Sequence, residues 1–219
     1  MSEFIVHNIP GSPYGRAVLA TLAEKDARYR LVPVAPGTMR SEPHVSRHPF
    51  GRVPVLEHDG FSIYETQAIL RYLDRALPEP ALTPADPKAA ARMDQVMNVG
   101  DWYLFHGVNN VIGFHRIVGP RLMGLIPDEA AIAEAMPKAH VVFKELSRLL
   151  GNKSYFAAEK VSLADIHVAT QLDFLAMTPE WKLLTAATPN LVGWLDRMNA
   201  RASFKATTWE RVAELAKAA

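Results

Sequence analysis

The sequence of 219 residues contains no cysteine, and this absence removes a large part of possible site chemistry. It excludes a disulfide framework, a thiolate metal site and a cysteine nucleophile. Any thiol chemistry therefore has to use a thiol carried by the substrate. The eight histidines are scattered without the helical spacing of metal ligands, so we expect no metal site.

The sequence also lacks a strong net charge and a long apolar run. The formal net charge of +1 gives no electrostatic argument for nucleic acid or an anionic membrane as partner. No run of eighteen apolar residues occurs, and the N-terminus has no basic region followed by an apolar one. With 49% hydrophobic and 21% charged residues, the composition is that of a soluble globular protein, and we expect a cytoplasmic location.

The N-terminal part of the sequence alternates between strand and helix patterns. The predicted elements are a strand at 4–7, a helix at 13–25, a strand at 29–34, an irregular crossover at 35–48, a hairpin around Asp59-Gly60 and a helix at 65–76. This order describes a small mixed sheet with helices on its faces.

Prolines crowd residues 78–87, which we interpret as a linker, and the sequence beyond them has helical periodicity. The predicted helices run from about 88 to 118 with a break near Gly119-Pro120, and over 128–150, 162–175, 191–199 and 205–217. We therefore predict an α+β protein of two domains, with residues 1–77 in the first and residues 88–219 in an all-α second domain.

Two residue pairs beside the predicted hairpin suggest a site for a peptide. Pro54 has no N–H for a strand ladder, and Val53 before it is held extended, so its backbone groups stay available to a partner. Glu65 and Thr66 open a helix whose first amides suit an anion. A peptide with a free carboxylate, such as glutathione, fits this pattern. The structural alternatives are a strand-start proline and an ordinary helix cap.

Ser12 is the leading candidate for chemistry. As the residue before Pro13, it has the position of a helix N-cap, and capping alone is one explanation for it. The functional alternative is that its hydroxyl donates a hydrogen bond to a thiolate at a helix start, where the helix dipole favours negative charge. Arg40 and Arg52 are either solvated surface charges or a clamp for a second carboxylate of the peptide.

Four segments together resemble the cytosolic glutathione S-transferases, and the resemblance covers nearly the whole chain. Residues 12–18 are similar to the serine-type site of the phi and theta classes, and residues 48–54 to the phi-type segment with its cis-proline. Residues 65–69 are similar to the acidic-plus-hydroxyl signature of the family. Residues 161–166 match its folding motif, in which Ser162 and Asp165 form a capping box.

The resemblance implies a thioredoxin-like first domain, an all-helical second domain and glutathione as co-substrate. It implies a role in detoxification, with Ser12 stabilising the glutathione thiolate for attack on a small hydrophobic electrophile or a peroxide. The implied glutathione-binding residues are Ser12, Arg40, Arg52, Val53, Pro54, Glu65 and Thr66. The non-enzymatic alternative is a carrier or interaction protein that keeps the fold. A specialised glutathione-dependent isomerase or dehalogenase is the other alternative.

The electrophile is expected between the two domains. Tyr103, His106, Asn110 and Phe114 follow helical spacing on one face, which predicts either a substrate wall or ordinary packing, and Trp209 is a further candidate for the same cleft. The sequence does not identify the electrophile itself.

Phe50 resembles the aromatic residue with which related subunits dock into a partner, so we expect a homodimer with Phe50 at the interface. The chain departs from the family pattern at three positions: Arg52 replaces a usual glutamine, Thr66 a serine and Ala158 a glycine.

Overall fold

A computed structural model gives the fold of the protein and describes residues 3–157 and 159–218. Ala158, one of the three departures from the family pattern, lies outside the described residues. Within the described ranges, no helix combines the length and the apolar character needed to cross a membrane.

The chain forms two compact units. One unit contains the residues up to Leu82 together with those from Asn199 onward, and the other runs from Thr83 to Met198. The sequence-based domain limits at 77 and 88 stay a prediction. The spatial grouping differs from them at the C-terminal end, because residues 202–206 pack against the first helix of the chain.

The structure consists of one mixed sheet and a series of helices. The strands are β1 Phe4–Asn8, β2 Tyr29–Pro33, β3 Val55–His58 and β4 Phe61–Tyr64. The helices are α1 Pro13–Glu24, α2 His44–Arg47, α3 Thr66–Ala76, α4 Pro87–Val99, α5 Gly100–Val118, α6 Gly119–Met123, α7 Glu129–Leu150, α8 Leu163–Ala176, α9 Glu180–Thr185, α10 Pro189–Asn199, α11 Ala202–Ala206 and α12 Trp209–Ala218.

The strands of the described residues form a four-stranded sheet in the order β2-β1-β3-β4. β1 runs parallel to β2 and antiparallel to β3, and β3 runs antiparallel to β4. Val6, Leu31 and Leu56 on these strands are buried, which places the core of this unit on the sheet. This sheet and the helical second unit confirm the predicted thioredoxin-like and all-α architecture.

The predicted break in the long helix was placed at the wrong residue. The chain leaves helical geometry at His106 (φ −73°, ψ 113°) and Gly107 (φ 83°, ψ 2°), whereas Gly119 is helical with φ −57°. Val118, before the Gly119-Pro120 pair, is also helical (φ −67°, ψ −52°), so the chain keeps helical geometry from α5 into α6 through the predicted break. Gly107, in the left-handed conformation that glycine adopts readily, is therefore the residue that interrupts the helix.

Two further differences concern short helices. The helix predicted over 205–217 is divided into α11 and α12, since Thr207 leaves helical geometry (φ −121°, ψ 24°). Helix α9 was not predicted, because its six residues give too short a pattern to show periodicity.

Residues 78–82 are fixed to the first unit by a buried ion pair. Lys25 Nζ donates to Asp74 Oδ1 at 2.5 Å and to the Pro80 carbonyl at 2.6 Å, and the lysine side chain is fully buried. Leu82 N–H donates to the same Asp74 oxygen at 2.9 Å. The first half of the predicted linker is therefore part of the folded unit.

The capping box expected at the start of α8 is present. Ser162 N–H and its hydroxyl both donate to Asp165 Oδ2, at 2.9 and 2.7 Å. The other carboxylate oxygen accepts the N–H of Phe156 and the indole N–H of Trp194, at 2.9 Å each. The motif therefore fixes the start of α8 to two segments that lie outside that helix.

Candidate functional site

The strand register brings three of the predicted binding segments to one end of the sheet. His7 of β1 pairs with Val55 of β3, and Val55 pairs with Tyr64 of β4, so these residues form one row across the sheet. The loop before α1 follows that row after β1, the Val53-Pro54 pair precedes β3, and Glu65 follows β4. This end of the sheet is the candidate site.

Ser12 is the N-cap of α1. It has extended backbone angles (φ −71°, ψ 117°), and its Oγ accepts the N–H of Gly15 at 3.1 Å. A serine hydroxyl has one proton to donate besides its two acceptor lone pairs. In the part of the chain that the structure describes, no acceptor takes that proton. The hydroxyl is therefore oriented by the helix and still able to donate.

Asn8, at the end of β1, lies against the first turn of the same helix. A Cβ placed on Gly15 would lie 1.8 Å from Asn8 Oδ1, so only glycine fits beside this side chain. Asn8 is 1% exposed, and its Oδ1 accepts no hydrogen bond from the described residues. Sequence reasoning missed Asn8, because the contact joins a strand to a helix and has no local pattern.

Two C-terminal residues support the same loop and helix. The Trp209 ring lies so close to Gly11 that a Cβ there would be 2.6 Å from it, and Gly11 has φ of +86°. The Arg16 guanidinium lies 5.2 Å from the centroid of the Phe204 ring. Trp209 therefore contacts the residue next to Ser12, a placement that the sequence did not predict.

Arg52, Val53 and Pro54 form the segment that enters β3. The Val53–Pro54 peptide bond is cis, as the family resemblance implied. His44 Nε2 lies 2.7 Å from the carbonyl oxygen of Arg52, and His44 is buried at 4% exposure. The contact between His44 and the Arg52 carbonyl therefore fixes the backbone of this segment to α2.

Arg40 and Arg52 both lie on the surface. The stem of Arg40 passes close to Gly51, where a Cβ would lie 2.7 Å from Arg40 Cγ, and Gly51 has φ of +60°. No carboxylate among the described residues pairs with either guanidinium. Both arginines therefore have their charge available to an anion.

Glu65 and Thr66 form the start of α3. Glu65 is exposed and has φ of +70°, a conformation that costs a non-glycine residue on the order of 1 kcal/mol. Its side chain makes no cap hydrogen bond to the helix, while Thr66 is 6% exposed. The Glu65 carboxylate therefore lies at the surface, at the start of α3.

Phe50 belongs to an aromatic cluster with His48 and Tyr64. Its ring centroid lies 6.2 Å from each of the other two rings, which are themselves 4.6 Å apart. Phe50 is 65% exposed, whereas His48 is buried. Burial lowers the pKa of His48, and the positive charges of His44 and Arg52 lower it further. The exposed Phe50 ring therefore packs against the buried His48 ring and the Tyr64 ring.

The four residues predicted for the electrophile lie in the helical unit, on α5. Tyr103 and His106 precede the interruption at Gly107, whereas Asn110 and Phe114 follow it, so they do not share one continuous helical face. Asn110 Oδ1 accepts the Gly107 N–H at 2.5 Å, and Lys138 donates to the His106 carbonyl. Tyr103, His106 and Asn110 are exposed. Their role in substrate binding stays a prediction.

The described residues contain no group of three or more His, Asp or Glu side chains able to hold a metal ion.

Comparison with protein-family models gives two matches. Residues 2–75 match the model "Glutathione S-transferase, N-terminal domain", and residues 112–202 match the model "Glutathione S-transferase, C-terminal domain". The first match contains every candidate glutathione-binding residue, and the second contains the capping box of α8.

Similar proteins and solved structures align with nearly the whole chain. A glutathione S-transferase of Hyoscyamus muticus is 31% identical over 200 residues, which covers 90% of this chain and 93% of that protein. Glutathione S-transferase F14 of Arabidopsis thaliana is 33% identical over 198 residues, covering 87% and 77%. The crystal structure of glutathione transferase F7 from Populus trichocarpa superposes with a TM-score of 0.84 at 27% identity, covering 97% of this chain and 99% of that one.

Proposed function

This chain belongs to the glutathione S-transferase family, and on that basis we propose that it is a serine-type glutathione transferase in which Ser12 keeps the thiol of bound glutathione ionised. The proposal rests on the hydrogen bonding of the Ser12 hydroxyl. Its oxygen accepts the Gly15 N–H at 3.1 Å, which leaves its proton free to point away from the helix. A thiolate at the mouth of α1 can accept that proton as a hydrogen bond.

The energies involved are sufficient without a general base. A free thiol has a pKa of about 8.5, and lowering it by about two units requires roughly 2.7 kcal/mol of preference for the thiolate. A hydrogen bond to a charged group contributes about 1.5–3 kcal/mol, and a helix N-terminus adds about 0.3–1 kcal/mol. Ser12 is thus a donor to sulfur and takes no part as a nucleophile.

The rest of glutathione would occupy the same end of the sheet. The backbone N–H and C=O of Val53, before Pro54, pair with the cysteinyl backbone of the tripeptide as an added strand. Thr66 and the first amides of α3 hold the γ-glutamyl carboxylate, and Glu65 takes the α-ammonium group. Arg40 and Arg52, which lack carboxylate partners among the described residues, bind the glycyl carboxylate.

The second substrate is a small hydrophobic electrophile or a peroxide. In conjugation, the sulfur of the thiolate forms a bond to the electrophilic carbon, and the leaving group of that carbon, chloride in chlorodinitrobenzene, departs with its bonding electrons. Tyr103, His106, Asn110 and Phe114 are proposed to bind this substrate. Three of them are exposed, and the polar Asn110 side chain is already engaged by Gly107. We accordingly expect the aromatic side chains to make the main contribution to its binding.

The Ser12→Ala protein tests the proposal. It keeps the tripeptide contacts, so glutathione affinity measured by calorimetry should stay within a few-fold. The pKa of the bound thiol, followed by ultraviolet absorbance of the thiolate, should rise toward its free value of about 8.5. Conjugation of chlorodinitrobenzene at neutral pH should fall at least about tenfold, because each pKa unit corresponds to a tenfold change in the ionised fraction.

Matched variants separate catalysis from folding. Ser12→Thr keeps the hydroxyl and the cap, and should retain most activity, whereas the exposed Ser62→Ala should change nothing. A Ser12→Ala enzyme with the parental rate would remove Ser12 from the mechanism. An unaltered protein that binds glutathione but turns over no electrophile or peroxide would instead support a carrier.

A further inference from the structure

A cationic cavity lies in the helical unit, at the C-terminal end of α7. Its volume is about 270 Å³, just under the range of about 300–1,000 Å³ that is usual for ligand pockets. It is lined by Arg92, Arg148, Leu149, Leu150, Gly151, Asn152 and Lys153. None of these residues belongs to the proposed glutathione site, so the cavity requires a separate explanation.

The lining contains three cations and no carboxylate. Arg148 is the one whose charge is paired, since its Nε and Nη2 donate to the Glu145 carboxylate at 2.7 Å each. Arg92 donates to the neutral Gln95 side chain at 2.6 Å, and Lys153 to the Phe156 carbonyl at 2.9 Å. Among the described residues, no carboxylate forms an ion pair with Arg92 or Lys153.

Repulsion between these cations affects the pKa of Lys153. Partial burial lowers the pKa of Lys153, and the positive charge of Arg92 lowers it further, while the charges of Asp165 and Glu159 act in the opposite direction. The field of Arg92 also reaches Glu145 and lowers its pKa, after the hydrogen bonds from Arg148. An anion in the cavity would relieve the repulsion between Arg92 and Lys153.

Capping of α7 does not account for this cluster. Cations often gather at a helix C-terminus, where they bind the last carbonyl groups. Here the Ser147 carbonyl accepts both the Gly151 N–H and the Asn190 amide, and Asn190 also binds the Gly151 carbonyl. The Leu150 carbonyl accepts the Lys153 N–H at 3.2 Å. Backbone and amide donors therefore bind the Ser147 and Leu150 carbonyls, whereas the charged groups of Arg92 and Lys153 donate to Gln95 and to the Phe156 carbonyl instead.

We propose that this cavity is a binding site for a phosphate group, held by Arg92, Arg148 and Lys153. A phosphate carries about −1.5 to −2 charges at neutral pH, which matches the excess of cations over Glu145. Its tetrahedral oxygens accept several charge-assisted hydrogen bonds at once, and arginine is well suited to donate them. A singly charged carboxylate leaves part of the positive charge without a counterion. The apolar atoms of Leu149 and Leu150 give the organic part of a phosphomonoester a surface to contact.

Phosphorus NMR titration of the full protein tests this site, at constant ionic strength in chloride. Inorganic phosphate and glycerol phosphate are the probes, and acetate, added as a competitor that displaces bound phosphate, is the monoanion control. We expect saturable binding of the phosphate probes. Equal affinities would identify free phosphate as the ligand, whereas tighter binding of glycerol phosphate would identify a phosphomonoester. Absence of saturable binding, or equally tight binding of acetate, would overturn the proposal.

Charge-removing variants locate the binding. Arg92→Gln and Lys153→Gln should each weaken phosphate binding about tenfold, because each removes a charge-assisted hydrogen bond. Arg211→Gln is the matched control for Arg148→Gln, since both arginines are 66% exposed and pair with a glutamate three residues away. Arg92→Lys keeps the charge and should bind within a few-fold of the unaltered protein, and Lys153→Gln alone carries the test if Arg92→Gln fails to fold. Undiminished binding by the Arg92→Gln/Lys153→Gln protein would contradict this assignment.

Discussion

Trp194 donates its indole N–H to Asp165 Oδ1 over 2.9 Å, and both side chains are completely buried. The same oxygen accepts the N–H of Phe156, and the Phe156 and Trp194 rings meet edge to face with centroids 4.9 Å apart. A single carboxylate thus joins the start of α8, the segment before it and α10. This arrangement makes the capping box a tertiary contact as well as a local one.

Replacement of Asp165 by Ala should therefore lower the free energy of unfolding by more than the loss of a helix cap alone would. A lost cap costs about 0.5–2 kcal/mol, and each buried donor left without an acceptor adds about 1–3 kcal/mol. We expect the free energy of unfolding, measured with urea, to fall by more than about 3 kcal/mol on these values. The control is Asp196→Ala, an exposed position two residues beyond Trp194. Equal losses in the two variants would show that the buried contacts contribute nothing.

The Gly15→Ala substitution should damage both stability and activity. Its new Cβ would lie 1.8 Å from Asn8 Oδ1, so α1 or β1 has to shift, at about 1–3 kcal/mol for overpacking. The double variant Asn8→Ala/Gly15→Ala removes the clash and should recover stability, as thermal unfolding can show. Gly193→Ala is the control, since its nearest contact is 3.8 Å away and alanine favours a helix interior by about 0.5–1 kcal/mol. No recovery in the double variant would argue against the contact.

The ion pair between Glu24 and Arg201 predicts a loss of stability in acid. Arg201 donates from Nε and Nη2 to the two carboxylate oxygens at 2.7 Å each, and the Ser203 hydroxyl also donates to Glu24. Burial raises the pKa of Glu24, but the hydrogen bonds from Arg201 and Ser203 and the charge of Arg201 outweigh it, so the pKa lies below its ordinary value of 4.5. A depressed folded pKa stabilises the protein above the unfolded pKa, and this stabilisation disappears as the pH falls through the folded pKa.

Glu24→Gln should reveal this contribution directly. The difference in free energy of unfolding between the unaltered protein and Glu24→Gln should be largest near neutral pH and shrink as the pH falls below 4.5. Glu214→Gln removes an exposed pair with Arg211, and its effect should stay within about 0.5 kcal/mol throughout. If the free energies of unfolding of the unaltered protein and Glu24→Gln differ by a constant amount across this pH range, the ion pair does not cause the acid sensitivity.

Phe50 is predicted to hold a homodimer together. Its side chain is 65% exposed while its ring packs against the buried His48 ring and the Tyr64 ring, which is the arrangement of an aromatic anchor. Phe50→Ala should raise the dimer dissociation constant about 30-fold or more, since an anchor contributes at least about 2 kcal/mol. Phe61→Ala, at 49% exposure, is the matched control in analytical ultracentrifugation. A dimer equally stable without the Phe50 ring would place the interface elsewhere.

The sequence predicted the features that are encoded within a few neighbouring residues. Ser12 before Pro13 marks the start of α1, Asp59-Gly60 marks the turn between β3 and β4, and both are present in the structure. The sequence did not predict the helix interruption at Gly107. A lone glycine within a periodic pattern gives no sign of the left-handed conformation, which Asn110 and Lys138 stabilise through the bonds they make there.

By itself, the sequence determined the mixed sheet, the all-helical second unit, the capped helix that carries Ser12, and the family. The structural elements follow from apolar periodicity, turn residues and caps, which act over about four residues along the chain, whereas the family follows from the resemblance of four motifs. Only the tertiary structure decided that Asn8 lies against Gly15, that the Trp209 ring contacts Gly11 and that Arg92 and Lys153 line one cavity. Such contacts join residues distant in the chain, and they depend on how helices and strands pack, which no local pattern specifies.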